Sequence, residues 1–307
     1  MQGLADYRNN TKETWRNWAW NRAIELQPEL RDRRRRTPAN IRRVLANKTA
    51  IYLVGPEDLD RQVAIAKGFR NENLIAIDVE KENIARVRKA GGIGVCCDIA
   101  DAILAWQQEQ IDIVMADFCG GISTNLWRLL HSMIISQNVG GHSVLCVNML
   151  RGRDGQSNQL REDLWNYLQS MNPQIRKCCL GNNGKDRAKI LFAILLDLYA
   201  YMLRRCGCTE REVVKIGMRY VKCRSIYHYR ANGQSMAWFD SLVTYGPPKI
   251  VFQPKSPEWD SETYAIIRKL KTETKHKTPD GFKKHMDGVV RMLNACKAVR
   301  TQRRAKG

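Results

Sequence analysis

Ala50-Ile51-Tyr52-Leu53-Val54-Gly55-Pro56, Leu74-Ile75-Ala76-Ile77-Asp78, Gly94-Val95-Cys96-Cys97-Asp98 and Ile111-Asp112-Ile113-Val114-Met115-Ala116-Asp117 are four apolar runs separated by helix-length segments. None alternates strictly between apolar and polar, so each predicts a strand buried on both faces, as in a parallel sheet covered by helices. The segments between them read as helices. Leu59 to Phe69 carries Leu59, Val63, Ile65 and Ala66 on or near one side, and Ile84 to Lys89 and Ile99 to Gln108 follow. Leu126 to Ser136, a Gly140-Gly141 turn and a fifth run, Ser143 to Asn148, extend the series. Strand and helix alternate throughout, which predicts a doubly wound α/β core.

Beyond the fifth strand the pattern changes. Asn158 to Met171 and Ala188 to Arg205 read as helices. Arg219 to Tyr229 and Met236 to Tyr245 then read as strands around Ala231-Asn232-Gly233-Gln234, and Asn-Gly is a strong hairpin signal. The expected fold is α/β: a doubly wound, mainly parallel sheet closed by an antiparallel hairpin, with basic helical extensions at both ends. Residues 1–48 form the first extension, 49–252 the core and 253–307 the second. Trp15, Trp18, Trp20 and Ile24 make a rough apolar stripe, expected to pack on the main body. Thr37-Pro38 opens a further short helix, with Pro at its first position. Ser261 to Thr272 and Pro279 to Arg300 are the expected C-terminal helices.

Charge divides the chain in the same places. The 307 residues carry 51 Lys and Arg against 31 Asp and Glu, net +20. Residues 1–50 hold 12 basic and 5 acidic side chains, and residues 253–307 hold 14 and 6, around a nearly balanced centre of 25 and 20. Basic ends on a balanced core suit a polyanion, most simply nucleic acid, DNA or RNA. The candidate phosphate contacts are Arg33, Arg34, Arg35 and Arg36, then Lys283, Lys284, Arg303 and Arg304. Such contacts supply affinity and salt dependence, not sequence readout. Tyr227-His228-Tyr229-Arg230 also interleaves aromatic and basic residues, but a strand that puts one set inward accounts for it equally.

Other classes are disfavoured. The near-unbroken apolar run Ile190 to Leu203 contains Asp197 and falls short of the roughly 20 residues a membrane span needs. No signal peptide is read at Met1-Gln2-Gly3-Leu4-Ala5-Asp6, so an intracellular protein without membrane contact is expected. The ten cysteines include the adjacent pairs Cys96-Cys97 and Cys178-Cys179 and form no C-x-x-C, so neither disulfides nor a structural zinc is expected.

Three strands end in acids: Asp78, Asp98 and Asp117. Ligands of open α/β sheets bind at such carboxyl ends, although Asp is also a favoured helix cap. With these residues in place, the chain resembles the class I S-adenosylmethionine-dependent methyltransferases over about residues 50–250. Their first motif looks like Ile51 to Glu57, with Gly55, Pro56 and Glu57 forming the turn against the cofactor. The resemblance implies that Asp78, followed by Val79, holds the ribose, and that Asp98 and Ile99 flank the adenine. It implies a fourth-strand motif at Ala116-Asp117-Phe118-Cys119-Gly120-Gly121, with Asp117 touching cofactor or target amine and Phe118 stacking on a base.

The chain departs from that pattern in keeping one glycine in the first turn and in lacking the two prolines common after the fourth-strand acid. Glu57 and Asp58 tolerate a sulfonium but repel dinucleotide phosphates, and G-x-G-x-x-G is missing, which argues against a nicotinamide enzyme. Cys119 as a thiolate nucleophile is the weaker idea beside a small residue in a tight turn, because no His or Lys adjoins it. The resemblance therefore implies methyl transfer to nucleic acid with S-adenosylmethionine as cofactor. The alternatives are a catalytically inactive protein of the same fold that binds nucleic acid or a partner, and a methyltransferase acting on protein or a small molecule.

Overall fold

A computed structural model of the chain describes residues 10–118, 124–136, 139–150, 219–231, 234–245 and 278–305. Five strands are parallel: β1 (Ala50–Leu53), β2 (Leu74–Asp78), β3 (Ile93–Cys96), β4 (Ile111–Asp117) and β5 (Val139–Leu150). Helices α3 (Leu59–Lys67), α4 (Lys81–Lys89), α5 (Ile99–Ala105) and α6 (Thr124–Ile135) connect them, making an α/β sheet of Rossmann-like order. The interior residues of β1, β2 and β4 are buried on both faces, and burial relaxes only at the last residue of each. Strands β6 (Arg219–Ala231) and β7 (Gln234–Tyr245) pair antiparallel with each other, and β7 runs antiparallel to β5. The order across the sheet is β3-β2-β1-β4-β5-β7-β6. Direction along the sheet therefore reverses between β1 and β4, the switch point at which such sheets bind ligands.

The expected helices Asn158 to Met171, Ala188 to Arg205 and Ser261 to Thr272 lie outside the described residues, as do Cys119 and Gly120-Gly121. Several boundaries differ. Gly140-Gly141, expected as a turn, lies inside β5, because Val139 already pairs with Ile111 ahead of a register shift; α3 stops at Lys67 and α4 starts at Lys81. Helix α5 stops at Ala105 rather than Gln108, because Trp106 turns extended (φ −67°, ψ 118°) and its indole N–H donates to the Glu109 carbonyl at 2.7 Å.

The N-terminal segment is part of the core. Helices α1 (Asn10–Glu25) and α2 (Pro38–Leu45) contribute Ala19, Trp20, Ala23, Ile24 and Leu45 to the cluster that holds Tyr52, Leu74, Ile113 and Cys146 of the sheet. Trp20 meets Phe69 edge-on at 5.4 Å and Tyr52 at 6.4 Å.

The C-terminal helix α7 (Pro279–Arg304) is seated in the same way, against α5 and β3. Phe282, Met286, Val289, Leu293, Cys296 and Arg300 recur at alternating spacings of four and three, and all are buried. At its N-terminal end, Asp101 of α5 joins two other helices. Its carboxylate accepts from Arg128 Nη2 of α6 at 2.7 Å and from His285 Nε2 of α7 at 2.9 Å. Burial alone would raise the Asp101 pKa, but the His285 hydrogen bond and the Arg128 charge outweigh it and hold the carboxyl below its ordinary value. A depressed carboxylate contributes stability that is complete above its unfolded value near 4 and is lost as pH falls through the depressed one. Asp101→Asn is thus expected to cost about 1–3 kcal/mol in urea unfolding at pH 7. The difference from the unsubstituted protein should fade as pH falls through the depressed value; a gap that persists in acid would put the loss in packing rather than charge.

Candidate ligand mouth at the switch point

The turn after β1 is built around a buried acid. Asp58 N–H donates to the Gly55 carbonyl at 3.2 Å, and Asp58 itself takes a left-handed conformation, φ 49° and ψ 41°. That conformation is most often given to glycine, with Asp and Asn the next best suited. Here the Asp58 carboxylate fixes it by accepting from Tyr52 Oη at 2.8 Å and from the Arg61 guanidinium. Burial pushes Asp58 above the ordinary carboxylate range, and these donors oppose the shift. Asp58 is therefore a brace for the turn, leaving Glu57 exposed at its tip. The single glycine of this turn reflects a different way of building it, because the position that needs a positive φ is an aspartate.

Register brings the next groups together. Val54 N–H donates to the Ile77 carbonyl at 3.1 Å, so Gly55 and Asp78 leave the sheet side by side. On the other flank Tyr52 pairs with Met115, which carries Asp117 out beside the same turn. Gly55, Pro56, Glu57, Asp78 and Asp117 thus share one mouth at the switch point. Asp78 accepts from Glu80 N–H at 2.9 Å and from Asn83 Nδ2 at 2.8 Å, a local cap that fixes its rotamer. Beside it Val79 is 62% exposed, one of the few large apolar side chains open to solvent among the described residues.

Asp117 has a neighbour that strand patterning did not single out. It pairs in register with Asn148 of β5, whose Nδ2 donates to Asp117 Oδ1 at 2.7 Å, while Phe118 N–H donates to the Asn148 carbonyl at 2.8 Å. Asn148 is 4% exposed, and its Oδ1 has no hydrogen-bond partner among the described residues. Leaving a buried acceptor unpaired costs about 1–3 kcal/mol. The available signal was a polar residue closing an apolar strand. Under the mouth, Asp60 in the first turn of α3 accepts from Trp20 Nε1 at 2.8 Å and Arg16 Nε at 3.0 Å. Burial raises its pKa, Arg16 and Trp20 oppose the rise, and the Asp117 charge adds to it.

Asp98 is placed differently. Its Oδ1 caps α5 through Ala100 N–H at 2.8 Å, and its Oδ2 lies 3.2 Å from Arg128 Nη1. Burial raises its pKa, and the Arg128 charge opposes that. Ile99, immediately after it, is buried in α5.

No family model matches the chain, and no curated protein sequence matches it. Solved structures do. The N-methyltransferase NodS from Bradyrhizobium japonicum is similar at 9% identity over 78% of this chain and 99% of that one, with a TM-score of 0.38. The 16S rRNA (adenine(1408)-N(1))-methyltransferase from Catenulisporales acidiphilia is similar at 11% identity over 70% and 94%, also at 0.38. A chain described as a Zn-dependent alcohol dehydrogenase from Rhodobacter sphaeroides is similar at 12% identity over 75% and 98%, at 0.33. Likeness at this level chooses no activity. The strand order and the side chains at the mouth carry the argument instead.

Those side chains suit one kind of ligand better than another. Glu57, Asp78 and Asp117 offer acceptors and negative charge, which match a diol and a cation and repel phosphates. The basic residues fall elsewhere. Arg33, Arg34 and Arg35 are exposed on a 3-10 turn, and Lys283 and Lys284 on the first turns of α7. Three other arginines are committed within the chain. Arg36 Nε donates to the Leu30 carbonyl at 2.8 Å, Arg303 Nη1 to the Gly91 carbonyl at 2.5 Å, and Arg304 Nη2 to Asn73 Oδ1 at 2.5 Å. Arg303 and Arg304, expected above as phosphate contacts, thus each make a hydrogen bond to the body of the protein, and Arg304 stays exposed. Among the described residues, no helix is long and apolar enough to cross a membrane.

Proposed function

We propose that this chain is an S-adenosylmethionine-dependent methyltransferase acting on nucleic acid. The observation that carries the reading is the switch-point mouth, where Asp78 and Asp117 leave β2 and β4 beside the Gly55 turn of a sheet ordered β3-β2-β1-β4-β5-β7-β6. The residues fit this cofactor: a carboxylate for a ribose diol, an exposed Val79 for an adenine face, and acids that tolerate a sulfonium. S-adenosylmethionine, when bound, supplies a methyl group activated for displacement. Asp117, held by Asn148 Nδ2, then offers an acceptor for a hydrogen of a substrate amine, with Phe118 beside it as a surface for a base. That acceptor aligns the nitrogen lone pair with the methyl carbon, and such positioning supplies much of the catalysis. The basic exposed residues at both ends grip the backbone.

A second reading, a protein of this fold that has lost catalysis, is favoured by Asp98. Its carboxylate is occupied by a helix cap and by Arg128, so the edge expected to receive the adenine amine is already paired. Calorimetric titration of nucleic-acid-free protein with S-adenosylmethionine and S-adenosylhomocysteine separates the two. Catalysis predicts micromolar binding, weakened at least tenfold by Asp78→Ala, and transfer of labelled methyl to DNA or RNA. No binding at millimolar ligand by a folded sample would overturn it in favour of the second reading.

A further inference from the structure

We infer that a basic cavity at the opposite end of β1 from the mouth is a second nucleic-acid site, one that holds backbone phosphates. The cavity encloses about 640 Å³ and is lined by Arg34, Arg35, Arg43 and Lys48, with Thr37 and Asn40 among its polar neighbours. Lys48 lies two residues before β1, whereas the Gly55 turn lies two residues after it. The inference rests on the nucleic-acid part of the reading above and adds where the polymer is held.

The fold gathers these cations deliberately. Asp32 Oδ1 accepts from Arg34 N–H at 2.9 Å and caps the turn Arg33–Arg35. Arg36 folds back on the Leu30 and Arg31 carbonyls and pairs with Glu25 at 3.4 Å, which stiffens the turn without entering the cavity. Asn40 joins the two walls. Its Nδ2 donates to the Arg35 carbonyl at 2.6 Å, and its Oδ1 accepts from Arg43 Nη2 at 2.8 Å. A neutral amide thus fixes the Arg43 guanidinium while leaving its charge uncompensated.

The charge balance decides the ligand. Lys48 is spent on Glu29 at 3.0 Å and Asp112 at 3.1 Å. By contrast, Arg34, Arg35 and Arg43 pair with no carboxylate among the described residues, and all three are exposed. Three unpaired guanidinium forks match phosphate oxygens geometrically. Glu29 and its lysine are the only opposing pair in the lining. Val44 is its one apolar side chain, so there is no platform on which a base would stack, and the site reads backbone rather than sequence.

Distance adds a constraint. Lys48 and Gly55 are seven residues apart along a largely extended segment, up to about 23 Å, so a base at the mouth and a phosphate in the cavity belong to one stacked strand only if it runs about seven steps at 3.4 Å per step.

The test uses the full chain and a fluorescein-labelled 20-nucleotide single strand, with anisotropy read across a potassium chloride series. Replacing Arg34, Arg35 and Arg43 together by Gln is expected to reduce the slope of log affinity against log salt by about 2, near a hundredfold at 0.1 M. The melting temperature and the S-adenosylmethionine titration should stay as they were. Gln at Lys81, Arg86 and Lys89, exposed on α4, is the control of equal charge and should leave the slope unchanged. An unchanged slope in the arginine variant, or an equal loss in the control, overturns this site while leaving the proposed activity standing. Competition by polyglutamate as strong as by unlabelled oligonucleotide overturns it in favour of an acidic protein. Failure of the unsubstituted chain to bind any oligonucleotide removes both this site and the nucleic-acid substrate.

Discussion

Trp20→Ala is expected to destabilise the protein by about 3–5 kcal/mol, lowering the melting temperature by around 10 °C. The side chain is completely buried and meets Phe69 and Tyr52 edge-on, so its removal leaves a void between α1 and the sheet. It also removes the 2.8 Å donor to Asp60, leaving Arg16 as the other side-chain donor to that half-buried carboxylate. Trp20→Phe separates the two effects: it keeps most of the volume, loses the donor and should cost about 1–2 kcal/mol. Trp15, half-buried against Trp18 at 5.1 Å, is the internal comparison, and its alanine variant should stay within about 1 kcal/mol. Urea and thermal unfolding followed by circular dichroism read all three. If Trp20→Ala melts with the unsubstituted chain, residues 10–25 are an attachment and the joint core described above is wrong. If it behaves as expected, deleting residues 1–48 should remove the fold along with the basic surface, and loss of nucleic-acid binding by such a truncation would say nothing about contacts.

The parallel core was legible because its signal is local. Buried strands such as Leu74–Asp78 read as unbroken apolar runs, and their closing acids stand at the point where burial relaxes. What the acids do was less legible, since it depends on partners remote in sequence. Asp98 meets Arg128 thirty residues on, and Asp101 meets His285 across 184 residues. Nothing in the spacing of these residues foretells the pairs. Asp58 shows the same limit at short range: its role follows from a left-handed backbone that a sequence pattern does not display. The C-terminal helix is an intermediate case. The spacing of Phe282, Met286, Val289, Leu293 and Cys296 is a buried stripe in plain view, set among basic side chains that by themselves fit a solvated helix. Arg300 continues that stripe by one more step of four, and a cation in an apolar register is the mark of a buried anchor.

Arg300→Ala is therefore expected to cost about 3–5 kcal/mol. Arg300 is 2% exposed and lies over Trp106 at 5.4 Å. Its Nε donates to the Glu72 carbonyl and its Nη1 to Gln108 Oε1, both at 2.7 Å, and Nη2 serves Thr49 and Glu109. Truncation strands these acceptors, whereas Arg300→Met keeps the stem against Trp106 and should lose less. The loss depends on pH in a definite direction. Burial alone would raise the Glu109 pKa, but the Arg300 charge and hydrogen bond outweigh it and hold the carboxyl low. The stability this pair contributes is present above the ordinary glutamate value, near 4.3, and disappears as pH falls through the depressed one. The gap between Arg300→Ala and the unsubstituted protein should accordingly be widest at neutral pH and narrow in acid. Hydrogen exchange localises the effect: at pH 7 the amides of residues 279–304 should exchange faster in the variant than the strands of the sheet do. Exchange that accelerates equally everywhere would mean that α7 unfolds only with the whole domain. Unchanged exchange would mean that Arg300 anchors nothing, and the helix would then be free to carry Lys283 and Lys284 to a polyanion as a detachable arm.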